Sequence, residues 1–201
     1  MRLLPYTCLV VALTVFTGFA GEDPVMVIKR INDELMITIS QPTDGKTGDV
    51  EKLRKVTSGM FDFAVLSRSV LPKIVWDSSS TTLKEEFISA FRELVEYSSA
   101  GNLVAFEQDS TVYDTAVIHG DRASVSTHLW SKGRDNHLVY KMILADGSWK
   151  VVDLVINDLS TARNYKEQFN ELLKEKSMRE VIILLKNKLQ AIGRKNVGVS
   201  P

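Results

Sequence analysis

Apolar residues recur at helical spacing over the first half of the chain. Val27, Ile28, Ile31, Leu35 and Ile39 fall on one face of a 3.6-residue period. Asp23-Pro24 precedes them, an N-cap followed by a proline at the first helical position, where its missing N–H costs nothing. Pro42 to Gly48 is a polar, turn-rich loop, after which Asp49 can cap a second helix through Leu53 and Val56. Phe61-Asp62-Phe63 leads into Leu66, Val70 and Leu71, a short apolar helix halted by Pro72. Thr82-Leu83-Lys84-Glu85 has the order of a capping box, and its helix carries Leu83, Phe87, Phe91, Leu94, Val95 and Ser98 on one face.

From about Leu103 to Ile156 the period shortens to two and β-branched residues and turns take over. Gly120-Asp121 separates two strands, Ser131 to Asn136 is a longer polar connection, and Asp146-Gly147 is the strongest hairpin signal. Ser160 then opens a helix bearing Tyr165, Phe169, Leu172 and Leu173. Ser177-Met178-Arg179-Glu180 is a second capping box, opening a helix with Val181, Ile182, Leu185, Leu189 and Ile192 that closes at Gly193. Helices over 24–100, a sheet over 103–157 and helices over 160–193 predict an α+β fold. In it an antiparallel sheet of about four strands is covered on one face by the N- and C-terminal helices.

The turns suggest a register. A tight Asp146-Gly147 turn sets Trp149 opposite Leu144, Val151 opposite Met142, Asp153 opposite Tyr140 and Val155 opposite Leu138. Pairing Trp130 with His137 sets Leu129 opposite Leu138 and Thr127 opposite Tyr140; the Gly120-Asp121 turn adds Asp114 opposite Thr127 and Ile118 opposite Ala123. One face then holds Val112, Ala116, Ile118, Val125, Leu129, Leu138, Met142, Leu144, Trp149, Val151 and Val155. A polar row of Asp114, Thr127, Tyr140 and Asp153 crosses it. The other face shows Ser124, Ser126, His128, Lys141 and Lys150 beside Val152, Leu154 and Ile156. A slip of one residue exchanges the faces.

The apolar face can close against the helices as an ordinary core. It can equally leave a cone-like pocket in which the polar row marks the polar spot. A buried carboxylate needs a partner. Asp153 beside Tyr140 can be a structural hydrogen bond or an acid–base pair of the kind cone-shaped isomerases use.

Charge narrows the classes: 25 basic and 25 acidic residues leave no net charge to favour nucleic acid. The sequence contains no Gly-rich phosphate loop, nucleophile elbow or HExxH motif. His119, His128 and His137 are separated by turns that do not bring them together, with His128 opposite Tyr113, so no metal site is expected. Arg2, the apolar stretch Leu3 to Phe16 and Gly18-Phe19-Ala20 read as a secretory signal over residues 1–20, cleaved after Ala20. The single Cys8 falls inside it, so the remaining domain, residues 21–201, has no cysteine. No later apolar run approaches the roughly 20 residues a membrane span needs. The expectation is an exported, soluble, monomeric protein without a cofactor.

Three stretches, in order and spacing, resemble the MlaC family, also called the toluene-tolerance auxiliary family. They are Phe61-Asp62-Phe63 with Leu66, Glu86-Phe87-Ile88-Ser89-Ala90-Phe91 with Leu94, and Trp149-Lys150-Val151-Val152-Asp153-Leu154. The third continues through Asn157-Asp158-Leu159-Ser160 and Asn164-Tyr165-Lys166-Glu167-Gln168-Phe169. The chain departs from the family pattern at Val152, where tyrosine is frequent, at Asp158-Leu159 in place of Glu-Gly, and at Pro72 in place of glycine.

The resemblance implies a periplasmic phospholipid-binding protein of the Gram-negative envelope, with a phospholipid as cargo and its acyl chains between sheet and helices. It implies shuttling between an outer-membrane lipoprotein complex and an inner-membrane ABC transporter with an MCE-domain subunit, which maintains outer-membrane lipid asymmetry. Under it, the lipid-contacting residues are Phe61, Phe63, Leu66, Phe87, Phe91, Tyr165, Phe169 and Leu172 from the helices. From the sheet they are Val125, Leu129, Tyr140, Met142, Leu144, Val151, Asp153 and Val155. The resemblance implies no enzyme; the alternative is an isomerase-like enzyme using Asp153 and Tyr140.

Overall fold

The computed structural model describes residues 21–40, 46–104 and 110–196. The expected signal over 1–20 lies outside the described residues, as do 41–45 of the polar loop.

Helix α1, Pro24–Ser40, begins where its cap predicts: the Val25 N–H donates to Asp23 Oδ1 at 2.8 Å. Helix α2, Lys46–Met60, starts three residues ahead of Asp49. The end of the polar loop is therefore helical. Packing of α2 against the long α5 outweighs the modest helix cost of Gly48. Asp62 caps α3, Phe63–Val70, by accepting from the Val65 N–H at 2.9 Å. Pro72 ends α3, and a further short helix, α4, Lys73–Ser78, follows it; six residues are too few to show a period.

Helix α5, Thr81–Val104, is capped by Ser80 rather than Thr82. The Leu83 N–H donates to Ser80 Oγ at 3.2 Å, and Thr82 lies inside the helix. The helix also runs through Leu103, where the sheet was expected to begin. Helix α6, Thr161–Glu175, is capped by Ser160 as predicted. Helix α7, Met178–Asn196, opens on a complete capping box between Ser177 and Glu180, and runs past Gly193.

Among the described residues six strands form one antiparallel sheet: β1 Ser110–Tyr113, β2 Val117–His119, β3 Arg122–Ser131, β4 Arg134–Ala145, β5 Ser148–Ile156 and β6 Leu159–Ser160. Their order is β1-β3-β4-β5-β6, with β2 continuing the β1 edge alongside β3. The body of the sheet is thus four strands wide, with a two-residue β6 added at one edge.

The register agrees with expectation at Trp149–Leu144, Val151–Met142 and Ile118–Ala123. It departs in three places. Between β3 and β4 the shift is two residues, pairing Thr127 with Leu138, Val125 with Tyr140 and His128 with His137. A two-residue turn at Lys132 and Gly133, with φ of 51° and 73°, closes this hairpin where a long connection was expected. A shift of two leaves each side chain on its face.

On β5 the shift is one residue. Met142 pairs with Val151 but Lys141 pairs with Asp153, so Val152 is an extra, bulged residue. Beyond it the faces exchange: Leu154 pairs with Tyr140 and Ile156 with Leu138 on the inner face, while Val155 pairs with Val139 on the outer one. The third departure lies between β1 and β2. Tyr113 pairs with Thr127 where Asp114 was expected, and Val112 is 51% exposed.

The helices pack on the inner face. Under them lie a large cluster among α3, α5, α6 and α7 and a smaller one where the first turns of α1 meet Ala123, Val125, Met142, Trp149 and Val151.

Candidate functional site

Between these two clusters the inner face is not filled. A cavity of about 350 Å³ lies there, within the range of roughly 300–1,000 Å³ usual for ligand pockets. One wall is the apolar stripe of α1: Ile28, Ile31, Leu35, Met36 and Ile39, with Asn32 among them. The end of α2 and the start of α3 add Met60, Phe61 and Leu66, and α5 adds Val95 and Ser98. The sheet supplies Leu129, Leu138, Tyr140, Leu154 and Ile156, and the start of α6 supplies Thr161, Ala162 and Tyr165.

The chemistry of the wall is aliphatic, with few polar groups. Burial pushes the Tyr140 phenol up to about 12; the nearby Tyr113 phenol adds to the rise, and the Thr127 hydroxyl offsets part of it. Burial likewise raises Tyr165, with the Ser98 hydroxyl opposing. Asp153 is the lining residue that carries a carboxylate, and both its oxygens are engaged. Ser160 Oγ donates to Oδ2 at 2.7 Å and the Ala162 N–H to Oδ1 at 2.8 Å. The carboxylate thus holds the N-terminus of α6 against β5, a favourable place for negative charge.

Of the residues expected at the ligand, Phe61, Leu66, Leu129, Tyr140, Asp153 and Tyr165 line the cavity. Phe63, Phe87, Phe91, Phe169 and Leu172 belong instead to the closed cluster. There Phe91 meets Phe87, Phe169 and Tyr165 with ring centroids 5.7, 5.4 and 4.9 Å away, and Val181 and Ile182 of α7 complete it. Val125, Met142, Val151 and Leu144 pack beneath the first turns of α1. Val155 is carried to the outer face by the bulge.

The expected Tyr140–Asp153 pair does not form across the strands: the register partner of Tyr140 is Leu154 and that of Asp153 is Lys141. Two histidines do meet, on the outer face. His128 pairs with His137, ring centroids 5.0 Å apart, and its Nδ1 lies 3.0 Å from Asp135 Oδ2. Among the described residues no group of three His, Cys, Asp or Glu could hold a metal ion.

The α1 wall, Leu154 and Ile156 were not among the residues expected at the ligand. The stripe on α1 was visible as helical periodicity, but a period does not tell a cavity wall from a core face.

A model of the MlaC protein family matches residues 29–187. The chain belongs to the MlaC family. A solved structure of similar fold is a phospholipid-binding protein from Ralstonia solanacearum, determined in complex with a phospholipid. It has a TM-score of 0.74 and 20% identity, and the match covers 85% of this chain and 99% of that one. A comparison with curated proteins finds no match. As an MlaC family member the chain keeps the family's arrangement of helices over an antiparallel sheet, and no described helix is long and apolar enough to cross a membrane.

Proposed function

We propose that this MlaC family protein binds a phospholipid with its acyl chains in the inner-face cavity and carries it through the periplasm. On this reading it shuttles lipid between an outer-membrane complex and an inner-membrane MCE/ABC transporter, and so maintains outer-membrane lipid asymmetry. What supports it above all is the cavity, about 350 Å³ and walled by the aliphatic residues of α1 and the sheet. The phospholipid held by the Ralstonia structure of the same fold points the same way. Each methylene moved from water into such a wall gains about 0.8 kcal/mol. A two-chain lipid therefore does not cross an aqueous compartment unaided, and an apolar container removes that barrier.

This makes the protein a binding and transport protein rather than an enzyme. The acid–base alternative loses its base, because Asp153 is occupied by Ser160 and Ala162. Residues 21–201 act as one lipid-binding domain after removal of the signal. Native mass spectrometry of the purified protein, with lipid extraction, tests the proposal. Stoichiometric phospholipid is expected, and Leu154→Arg, which puts a cation on the cavity wall, should abolish it. A protein that neither co-purifies with phospholipid nor accepts it from vesicles would overturn the proposal.

A further inference from the structure

The mouth of the cavity can be placed from exposure. Among the described residues that line it, Ile156 is the most exposed, at 40%. Ile156 ends a row on the inner sheet face that runs Thr127, Leu138, Ile156, Leu159 across β3, β4, β5 and β6. Exposure climbs along that row, from 1% at Thr127 to 77% at Leu159. Paired residues share a face, so Leu159 extends the cavity wall one step beyond its rim into solvent.

An exposed leucine alone means little, but this one is held in place. It follows a two-residue turn in which Asn157 and Asp158 both take positive φ, 47° and 67°, the conformation a tight hairpin turn requires and one Asn and Asp tolerate better than other side chains. Asn157 is tied to β4 on both sides: its N–H donates to the His137 carbonyl at 2.8 Å and its Oδ1 accepts from the His137 N–H at 3.0 Å. On the far side, Asp153 fixes the start of α6. The turn, its anchor and the helix cap together set Leu159 opposite Ile156.

We propose that Leu159 and Ile156 form the portal of the carrier: Leu159 is the first apolar contact of an acyl chain as it enters and the last as it leaves. The proposal rests on the phospholipid-carrier reading. It assigns Leu159 a kinetic role, since the side chain lies outside the cavity and contributes to the path rather than to the bound state.

The test compares the purified protein with Leu159→Asn and Leu159→Met, measuring uptake of a self-quenched fluorescent phospholipid from phosphatidylethanolamine–phosphatidylglycerol vesicles. Leu159→Asn should take up lipid roughly fivefold more slowly, the scale set by losing apolar contact for one or two methylenes. Its final lipid-to-protein ratio and thermal midpoint should match the parent. Leu159→Met should keep the parent rate. Parent-like uptake by Leu159→Asn overturns the portal and leaves the carrier standing. Equally slow uptake by both variants also overturns it, because apolar contact is then not the cause. A parent protein that takes up no phospholipid overturns the carrier reading itself, and the portal with it.

Discussion

Two apolar regions adjoin on the inner side of the sheet, a closed cluster among the helices and a cavity between α1 and the strands. Where α5, α6 and α7 meet, Phe169 meets the stacked Phe87 and Phe91 rings edge to face, and Val181 and Ile182 of α7 join the cluster. Where α1 crosses the other half, Ile31, Leu35 and Met36 face Leu138, Tyr140 and Leu154 across open space. Both helical faces carry the same kind of stripe. The difference lies in how they are filled: aromatic rings and α7 close one, while the aliphatic side chains of α1, with Met60, Leu66 and Val95, leave space against the sheet in the other. Apolar patterning therefore specifies which surface is buried but not whether the burial is complete.

Truncation should separate the two halves most sharply. Phe91→Ala removes a fully buried ring and should cost about 3–5 kcal/mol, read from denaturant unfolding. Met36→Ala borders space that is already vacant, so it should cost less than about 1.5 kcal/mol. Equal losses would mean that the cavity half is packed as tightly as the closed half.

The next effect lies in alkali. The folded state holds the Tyr140 phenol near 12, above its unfolded value of about 10. The unfolded chain thus releases this proton first, and stability present below pH 10 falls between about pH 10 and 12. The loss reaches about 2–3 kcal/mol from this group. Tyr140→Phe should flatten the fall measured by unfolding across that range. A fall unchanged in Tyr140→Phe would remove Tyr140 as its cause.

The smallest effect concerns the junction between sheet and α6. Asp153→Ala leaves Ser160 and the Ala162 N–H without their acceptor and should cost about 1–2 kcal/mol, read as a lower thermal midpoint. Phospholipid uptake at a temperature where the variant is folded should persist. Loss of uptake with stability unchanged would give Asp153 a role at the ligand instead.

Much of the fold was legible because it is local. Asp62, Ser160 and the Ser177–Glu180 box cap helices through contacts three residues apart, and Asp146-Gly147 closes its hairpin with φ of 49° and 77°. The errors at the cavity wall come from a count that depends on a partner. The bulge at Val152 adds one residue to β5 only in relation to β4, and nothing within Trp149-Lys150-Val151-Val152-Asp153-Leu154 announces it. That residue exchanged Val155 for Leu154 and Ile156 on the cavity wall. It also dissolved the expected Tyr140–Asp153 pair.

By itself, then, the sequence determined the helices other than α4, the main hairpin, the antiparallel sheet with one apolar face, and the resemblance to the MlaC family. These follow from propensity, capping and alternation, all of which act over a few residues. Only the tertiary structure decided which apolar residues face a cavity and which carboxylate is engaged. Each of these depends on how far apart two packed elements stand, and that distance is set by side chains remote in the chain.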